Sequence, residues 1–114
     1  MASARAMIER RRSGRIPVRI PVKIFSDSIH SMPHGTLAEA IAVSRYGGLI
    51  RVSYPLTLGS RMEVMNVISQ EIREFRIVRS RESKEKGYFE IGVEILHPTQ
   101  NFWGVQFPGE RRAG

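Results

Sequence analysis

The stretch Ile16–Ile24, IPVRIPVKI, decides the fold. Aliphatic residues occupy every second position of it, namely Ile16, Val18, Ile20, Val22 and Ile24. Because side chains alternate between the two faces of a β-strand, this pattern predicts a strand with one face in the core. Pro17 and Pro21 fall on the outward face. Proline cannot donate a hydrogen bond to a neighbouring strand, so we expect an edge-like or bulged first strand.

Further short strands follow this one at regular spacing. The clearest is Gly87–Leu96, GYFEIGVEIL, in which the apolar face consists of Phe89, Ile91, Val93 and Ile95. In Gln70–Ser80 the apolar face begins midway, at Phe75 and Ile77. Arg61–Ile68 is also typical of a strand, and each segment is bounded by residues that favour turns.

Thr36–Ser44, TLAEAIAVS, is ambiguous, because Leu37–Ala40 are good helix formers while the alternation fits a strand. Its neighbours favour the strand. Arg45–Gly48 is typical of a tight turn in which paired glycines supply positive φ, and Leu49–Tyr54 follows as a second β-rich arm. With six or so short strands and no βαβ alternation, the sequence predicts one all-β domain, a barrel or a sandwich.

The composition fits a single globular domain and excludes several classes of site. The chain has 114 residues, of which 41% are hydrophobic and 25% charged. There is no cysteine, which excludes disulfides, thiolate zinc sites and cysteine nucleophiles. The apolar runs are too short to cross a bilayer, and no secretory signal is evident, so we expect no membrane insertion and a cytoplasmic location.

The positive charge is concentrated near the N-terminus. The formal net charge is +7, and nearly all of it comes from residues 1–24, where a single acidic residue, Glu9, faces the cations Arg5, Arg10, Arg11, Arg12, Arg15, Arg19 and Lys23. Such a distribution indicates a local anionic partner, which could be a nucleotide, a nucleic acid or a membrane surface. A nucleic acid is the weaker candidate, because exposed aromatic residues for base stacking are not interleaved with the basic ones.

We divide the chain into a flexible basic leader (1–15), an all-β domain (16–108) and a disordered tail (109–114). The leader holds four clustered arginines. A guanidinium offers a planar fork of donors that matches phosphate oxygens or the Hoogsteen edge of guanine. The cluster therefore predicts an anion or nucleotide clamp formed by Arg10, Arg11, Arg12 and Arg15.

Two motifs in this sequence resemble the signatures of PilZ domains. Arg11–Arg15 has the pattern RxxxR just before a strand, and Ala42–Gly47, AVSRYG, follows about thirty residues later in place of (D/N)xSxxG. The resemblance implies a small six-stranded antiparallel β-barrel that binds the bacterial second messenger cyclic di-GMP. It also implies a ligand site that combines the arginines of the leader with Ser44 and Gly47.

Ala42 departs from the family pattern, which has Asp or Asn at this position. The loss of one polar contact costs about 1–3 kcal/mol, or roughly 5- to 150-fold in affinity. Two hypotheses therefore follow from the resemblance. One is a cyclic di-GMP receptor that orders its leader over the barrel and alters a partner interaction. The other is an adaptor that does not bind the nucleotide and acts through an unidentified protein effector, for example in motility, biofilm or exopolysaccharide control.

Other candidate sites have little support in the sequence. His30 and His34 could hold a metal, but no third ligand accompanies them, so we predict no metal site. No nucleophile elbow or phosphate-binding glycine loop is present, and we predict neither an enzyme nor a cofactor. Among the aromatic residues near the C-terminus, Trp103 could anchor a protein partner. We favour a role for it in the core, at one end of the barrel, together with Phe102 and Phe107.

Overall fold

A computed structural model of the chain describes residues 15–26, 35–97 and 101–107. Six antiparallel strands in it form a closed barrel in the order β1-β2-β3-β6-β5-β4. They are β1 (Ile16–Ser26), β2 (Thr36–Ser44), β3 (Gly47–Val52), β4 (Arg61–Asn66), β5 (Ile72–Glu82) and β6 (Phe89–Ile95). The all-β prediction is confirmed, and the architecture is the barrel. The predictions for residues 1–14 and 109–114, and those for His30 and His34, lie outside the described residues.

The first strand follows its apolar alternation. Ile20, Val22 and Ile24 are buried, whereas Pro17 and Pro21 are exposed. The register with β2 shifts between Pro17 and Ile20, which confirms the predicted bulge. The strand is not an edge, however, because it pairs with β2 on one side and with β4 on the other. Closure of the barrel gives even this proline-containing strand two neighbours.

Thr36–Ser44 is a strand, as its neighbours predict, but the turn that follows differs from the expectation. The turn residues are Arg45 and Tyr46, while Gly47 and Gly48 already belong to β3. The prediction that these two glycines supply positive φ is wrong, because the glycines with positive φ are Gly35, Gly59, Gly87 and Gly104. Gly47 and Gly48 are buried instead, which points to close packing as the reason for glycine.

The core fills the barrel and is closed at one end by the C-terminal segment. Phe75 and Ile77 are fully buried, so β5 does enter the core midway. Phe102, Trp103 and Phe107 are each at most 4% exposed. The Phe102 ring lies 4.9 Å from the Trp103 ring and 5.4 Å from that of Phe75, measured between centroids. The aromatic residues therefore cap the core, as predicted.

Two hydrogen bonds fasten this cap to the barrel. The indole Nε1 of Trp103 donates to the carbonyl oxygen of Gly47 at 3.0 Å. The buried Asn66 donates from Nδ2 to the carbonyl oxygen of Phe102 at 3.0 Å, and its Oδ1 accepts from the backbone N–H of Ile68. Because a buried polar group is costly unless it is paired, these bonds fix the position of the segment on β3 and β4.

Candidate functional site

The register of β1 and β2 brings the two sequence motifs together. Ile16 pairs with Val43 and Pro17 pairs with Ala42. The pair of Ile16 with Val43 is the last of the ladder, with Arg15 directly before Ile16 and Ser44 directly after Val43. The last arginine of RxxxR and the serine of the second motif are therefore brought to the same end of the β1–β2 ladder, whereas Arg10, Arg11 and Arg12 lie outside the described residues.

A shallow apolar surface extends from this point over the outer face of the barrel. Ala42 pairs with Leu49, and Leu49 pairs with Gly92, so the three residues form one row across β2, β3 and β6. Their neighbours along each strand, such as Val43 and Val93, point into the core. We call the row Ala42–Leu49–Gly92 the outer floor. It has no polar side chain and two small residues; Ala42 and Leu49 are half-buried, and Gly92 is buried.

Arg79 stands at the far end of the outer floor, opposite Gly92. A bulge in β5 is responsible, because the register shifts between Ile77 and Arg79 and leaves Val78 unpaired. A Cβ added to Gly92 would lie 3.1 Å from the Cβ of Arg79. The base of the arginine side chain thus rests directly against the glycine, at the edge of the floor.

Two neighbouring arginines form ion pairs with carboxylates, whereas Arg15 and Arg79 form none with the residues that the structure describes. In the adjacent row, Arg51 Nη1 lies 3.1 Å from a carboxylate oxygen of Glu85, and Arg81 Nη2 lies 2.8 Å from one of Glu90. Arg15 and Arg79 are exposed and have no carboxylate partner among the residues that the structure describes. At each end of the outer floor there is therefore a cation that no described carboxylate compensates.

Gly47 has a structural role that the sequence did not reveal. A Cβ on this residue would overlap the backbone carbonyl oxygen of Val93 on β6, and the Gly47 carbonyl accepts the hydrogen bond from Trp103. Its neighbour Gly48 is also confined, with the Trp103 ring 3.1 Å from the place of an added Cβ. Close strand packing is thus sufficient to require glycine here, whether or not a ligand also approaches it.

We expect Gly47→Ala to lower the free energy of unfolding by about 1–3 kcal/mol, because overpacking forces β3 away from β6. Urea denaturation followed by circular dichroism would measure the change. Ser53→Ala, at an exposed position just beyond the other end of β3, serves as the control and should stay within about 0.5 kcal/mol. An unchanged stability of Gly47→Ala would contradict the packing described for this strand.

The β2–β3 turn adds one more exposed group beside the site. Tyr46 is half exposed, and the guanidinium carbon of Arg45 lies 6.0 Å from the centre of its ring. Sequence reasoning did not single out these two residues, nor Leu49, Gly92 and Arg79. Leu49 and Gly92 are at outward-facing positions of their alternating strands, but only the strand register shows that they are neighbours.

A comparison with protein-family models gave no match, and a comparison with curated proteins gave none either. Within residues 15–26, 35–97 and 101–107, no helix is long and apolar enough to span a bilayer. No cluster of three or more potential metal ligands occurs in that same part of the chain. The candidate site therefore consists of arginines, a serine and an apolar floor, which suit an anionic ligand with a planar ring.

Proposed function

We propose that the protein is a cytoplasmic receptor for cyclic di-GMP, which it binds on the outer face of the barrel. The observation that supports the proposal is the β1–β2 register, whose last pair, Ile16 with Val43, is flanked by Arg15 and Ser44 at one end of the outer floor. The resemblance of both motifs to those of PilZ domains supports the same ligand. In this proposal the leader arginines Arg10, Arg11 and Arg12 complete the site.

The dimensions and chemistry of the surface fit the ligand. Neighbouring strands lie about 4.8 Å apart, so the outer floor from Ala42 to Gly92 is roughly 10 Å wide, comparable to a purine base. Cyclic di-GMP has two guanines and two phosphates. A guanine can lie on the floor, while Arg15 and Arg79 bind phosphate or stack on a base from opposite ends. Ser44 offers a hydroxyl at the same end of the floor as Arg15.

Binding would also change the surface that a partner meets. Arg15 directly precedes β1, so a ligand held by Arg15 and the earlier arginines would tie residues 1–14 to the barrel wall. Such a ligand-dependent change in one segment is a common form of switching, and the ligand drives it only by binding the closed arrangement more tightly. A protein effector that reads this change completes the signalling role we propose.

Isothermal titration calorimetry of the full chain with cyclic di-GMP tests the proposal. We expect saturable binding with a dissociation constant in the micromolar range or tighter, and much weaker binding of GMP, which has a single base and a single phosphate. Titrations at two salt concentrations identify the charge contribution, because screening weakens exposed ionic contacts. No binding of cyclic di-GMP at either salt concentration would overturn the proposal.

Ala42→Asp should tighten the binding of cyclic di-GMP by about 5- to 10-fold. The new carboxylate would stand on the outer floor, one row from Arg15 and Ser44, where it can accept hydrogen bonds from guanine or orient the guanidinium. The same calorimetric titration measures the effect. Thr57→Asp adds the same charge at an exposed loop position and should leave the affinity unchanged. Equal affinities for Ala42→Asp and the native chain would contradict this placement of the ligand.

A second candidate function is that of an adaptor that does not bind the nucleotide. The observation that favours it is Ala42 itself, which contributes no hydrogen-bonding side chain to the outer floor. Close packing against Val93 is also sufficient to explain why residue 47 is glycine, without a ligand. Native protein that gives no heat, together with Ala42→Asp protein that binds, would favour the adaptor. The unknown partner would then be a protein that recognises the barrel surface directly.

A further inference from the structure

The opposite outer face of the barrel has an exposed apolar row that crosses four strands. Leu37 on β2 pairs with Lys23 on β1, Lys23 pairs with Met65 on β4, and Met65 pairs with Ile72 on β5. Leu37 is 68% exposed and Ile72 is 43% exposed. We call Leu37–Lys23–Met65–Ile72 the apolar row. Its only charge is the amino group of Lys23, and no feature of the proposed nucleotide site involves it.

Neighbouring residues widen this row into a patch. Pro21 is exposed in the next row, and its carbonyl oxygen accepts a hydrogen bond from the backbone N–H of Val67 at 3.0 Å. The adjacent Ile68, in the turn after β4, is 73% exposed. A contiguous exposed apolar surface of this kind on a small domain marks an interaction site.

Two charges at the patch have no ion-pair partner among the residues that the structure describes, while those around them do. Neither Lys23 nor Glu63 forms an ion pair with another described residue. The nearby carboxylates of Glu39 and Glu74 are bound by Arg19 and Arg61, at 3.1 Å and 3.6 Å. Glu63 pairs with Phe25, one row from Lys23, and therefore lies at the rim of the patch. Within the described part of the chain, the patch thus presents one unpaired cation and one unpaired anion side by side.

We propose that this patch binds a second copy of the chain about a two-fold axis. A two-fold interface uses the same surface on both copies, so a patch that carries one free cation beside one free anion complements itself. Lys23 would meet the partner's Glu63, and Glu63 would meet the partner's Lys23. Leu37 and Ile72 would pack against the same apolar row of the other copy and lose their exposure to water.

The size of the patch sets the expected affinity. Four strands at about 4.8 Å spacing make it only some 14 Å wide, so it covers roughly a few hundred Å². A standard stable interface buries about 800 Å² per partner. We therefore expect a dimer that dissociates at micromolar concentrations. The outer floor lies on the other side of the barrel, so dimerisation neither requires nor blocks the proposed nucleotide site.

Sedimentation velocity on the full chain, without nucleotide and over a range of concentrations, tests this inference. We expect a shift from the 13.0 kDa monomer to a dimer of twice that mass as the concentration rises. Lys23→Glu and Glu63→Lys should each weaken the dimer about tenfold or more, because each places like charges face to face. The double variant should restore it. Lys84→Glu, at an exposed position near the β5–β6 turn, is the charge-matched control and should leave the dimer unchanged.

Three results would overturn the proposal. The first is a native chain that stays monomeric up to the highest soluble concentration. The second is a dimer that neither single variant weakens, and the third is a double variant that stays as weak as the single ones. Circular dichroism of each variant establishes that the barrel is folded. None of these results depends on cyclic di-GMP, so they leave the proposed function to its own titration.

Discussion

Trp103→Ala should destabilise the protein by about 3–5 kcal/mol, the largest effect we expect from a single substitution in the core. The indole is 4% exposed and closes one end of the barrel, with its ring centre 6.0 Å from that of Phe75. Its removal would leave a cavity. It would also leave the Gly47 carbonyl without the hydrogen bond that it accepts from Nε1, which adds the cost of an unpaired buried acceptor.

Guanidinium chloride denaturation would show this loss of stability as a lower midpoint concentration, with a similar slope of the unfolding free energy against denaturant. Trp103→Phe keeps most of the ring volume but removes the donor, so it should cost less, about 1–2 kcal/mol. Leu58→Ala, at a position that is 59% exposed, is the surface control and should change stability by no more than about 0.5 kcal/mol. A Trp103→Ala variant as stable as the control would mean that the aromatic segment does not cap the core.

Arg15→Ala should weaken the binding of cyclic di-GMP by about 10- to 150-fold, since a hydrogen bond to a charged group contributes about 1.5–3 kcal/mol. Arg15 is exposed, so its removal should not affect folding. Calorimetric titration would show the loss, and Arg79→Ala would test the far end of the outer floor in the same way.

Arg81→Ala is the matched control for this prediction. Arg81 lies on the same outer face and has the same charge, but its guanidinium is already bound to Glu90 at 2.8 Å. The affinity for cyclic di-GMP should therefore stay within about twofold of the native value. A tenfold change would correspond to about 1.4 kcal/mol. If Arg15→Ala and Arg81→Ala weakened binding equally, the attraction would come from the general positive charge and not from a site at Arg15.

The strands could be predicted from the sequence because alternation is a local property. Ile16–Ile24 and Gly87–Leu96 alternate strictly, and both are strands with the predicted face inward. The prediction of a strand at Thr36–Ser44 depended on the neighbouring segments. The helix propensity of its residues is overridden by pairing with two other strands. The prediction of the turn at Gly47 and Gly48 was wrong because glycine serves equally for positive φ and for close packing, and composition does not separate the two.

The candidate site could be predicted only where a motif contained it. Arg15 was predicted from the arginine cluster near the N-terminus, and Ser44 from the resemblance to PilZ domains; the last pair of the β1–β2 register, Ile16 with Val43, lies between them. Leu49, Arg79 and Gly92 lie on three different strands, and two bulges, in β2 and β5, decide which side chains share a row. A bulge adds one residue to a strand without a clear signature in composition, so sequence alone could not align these residues.

The hydrogen bond between Trp103 and Gly47 joins residues that are 56 positions apart. All six strands precede the aromatic segment in the chain, so each of them is synthesised before Phe102 and Trp103. Until Phe102 and Trp103 emerge, one end of the barrel is open and its aliphatic interior is exposed to water and to other chains. Docking of this segment therefore completes the core only after all six strands have been made, and a chain cut before Phe102 should be the form most prone to aggregate.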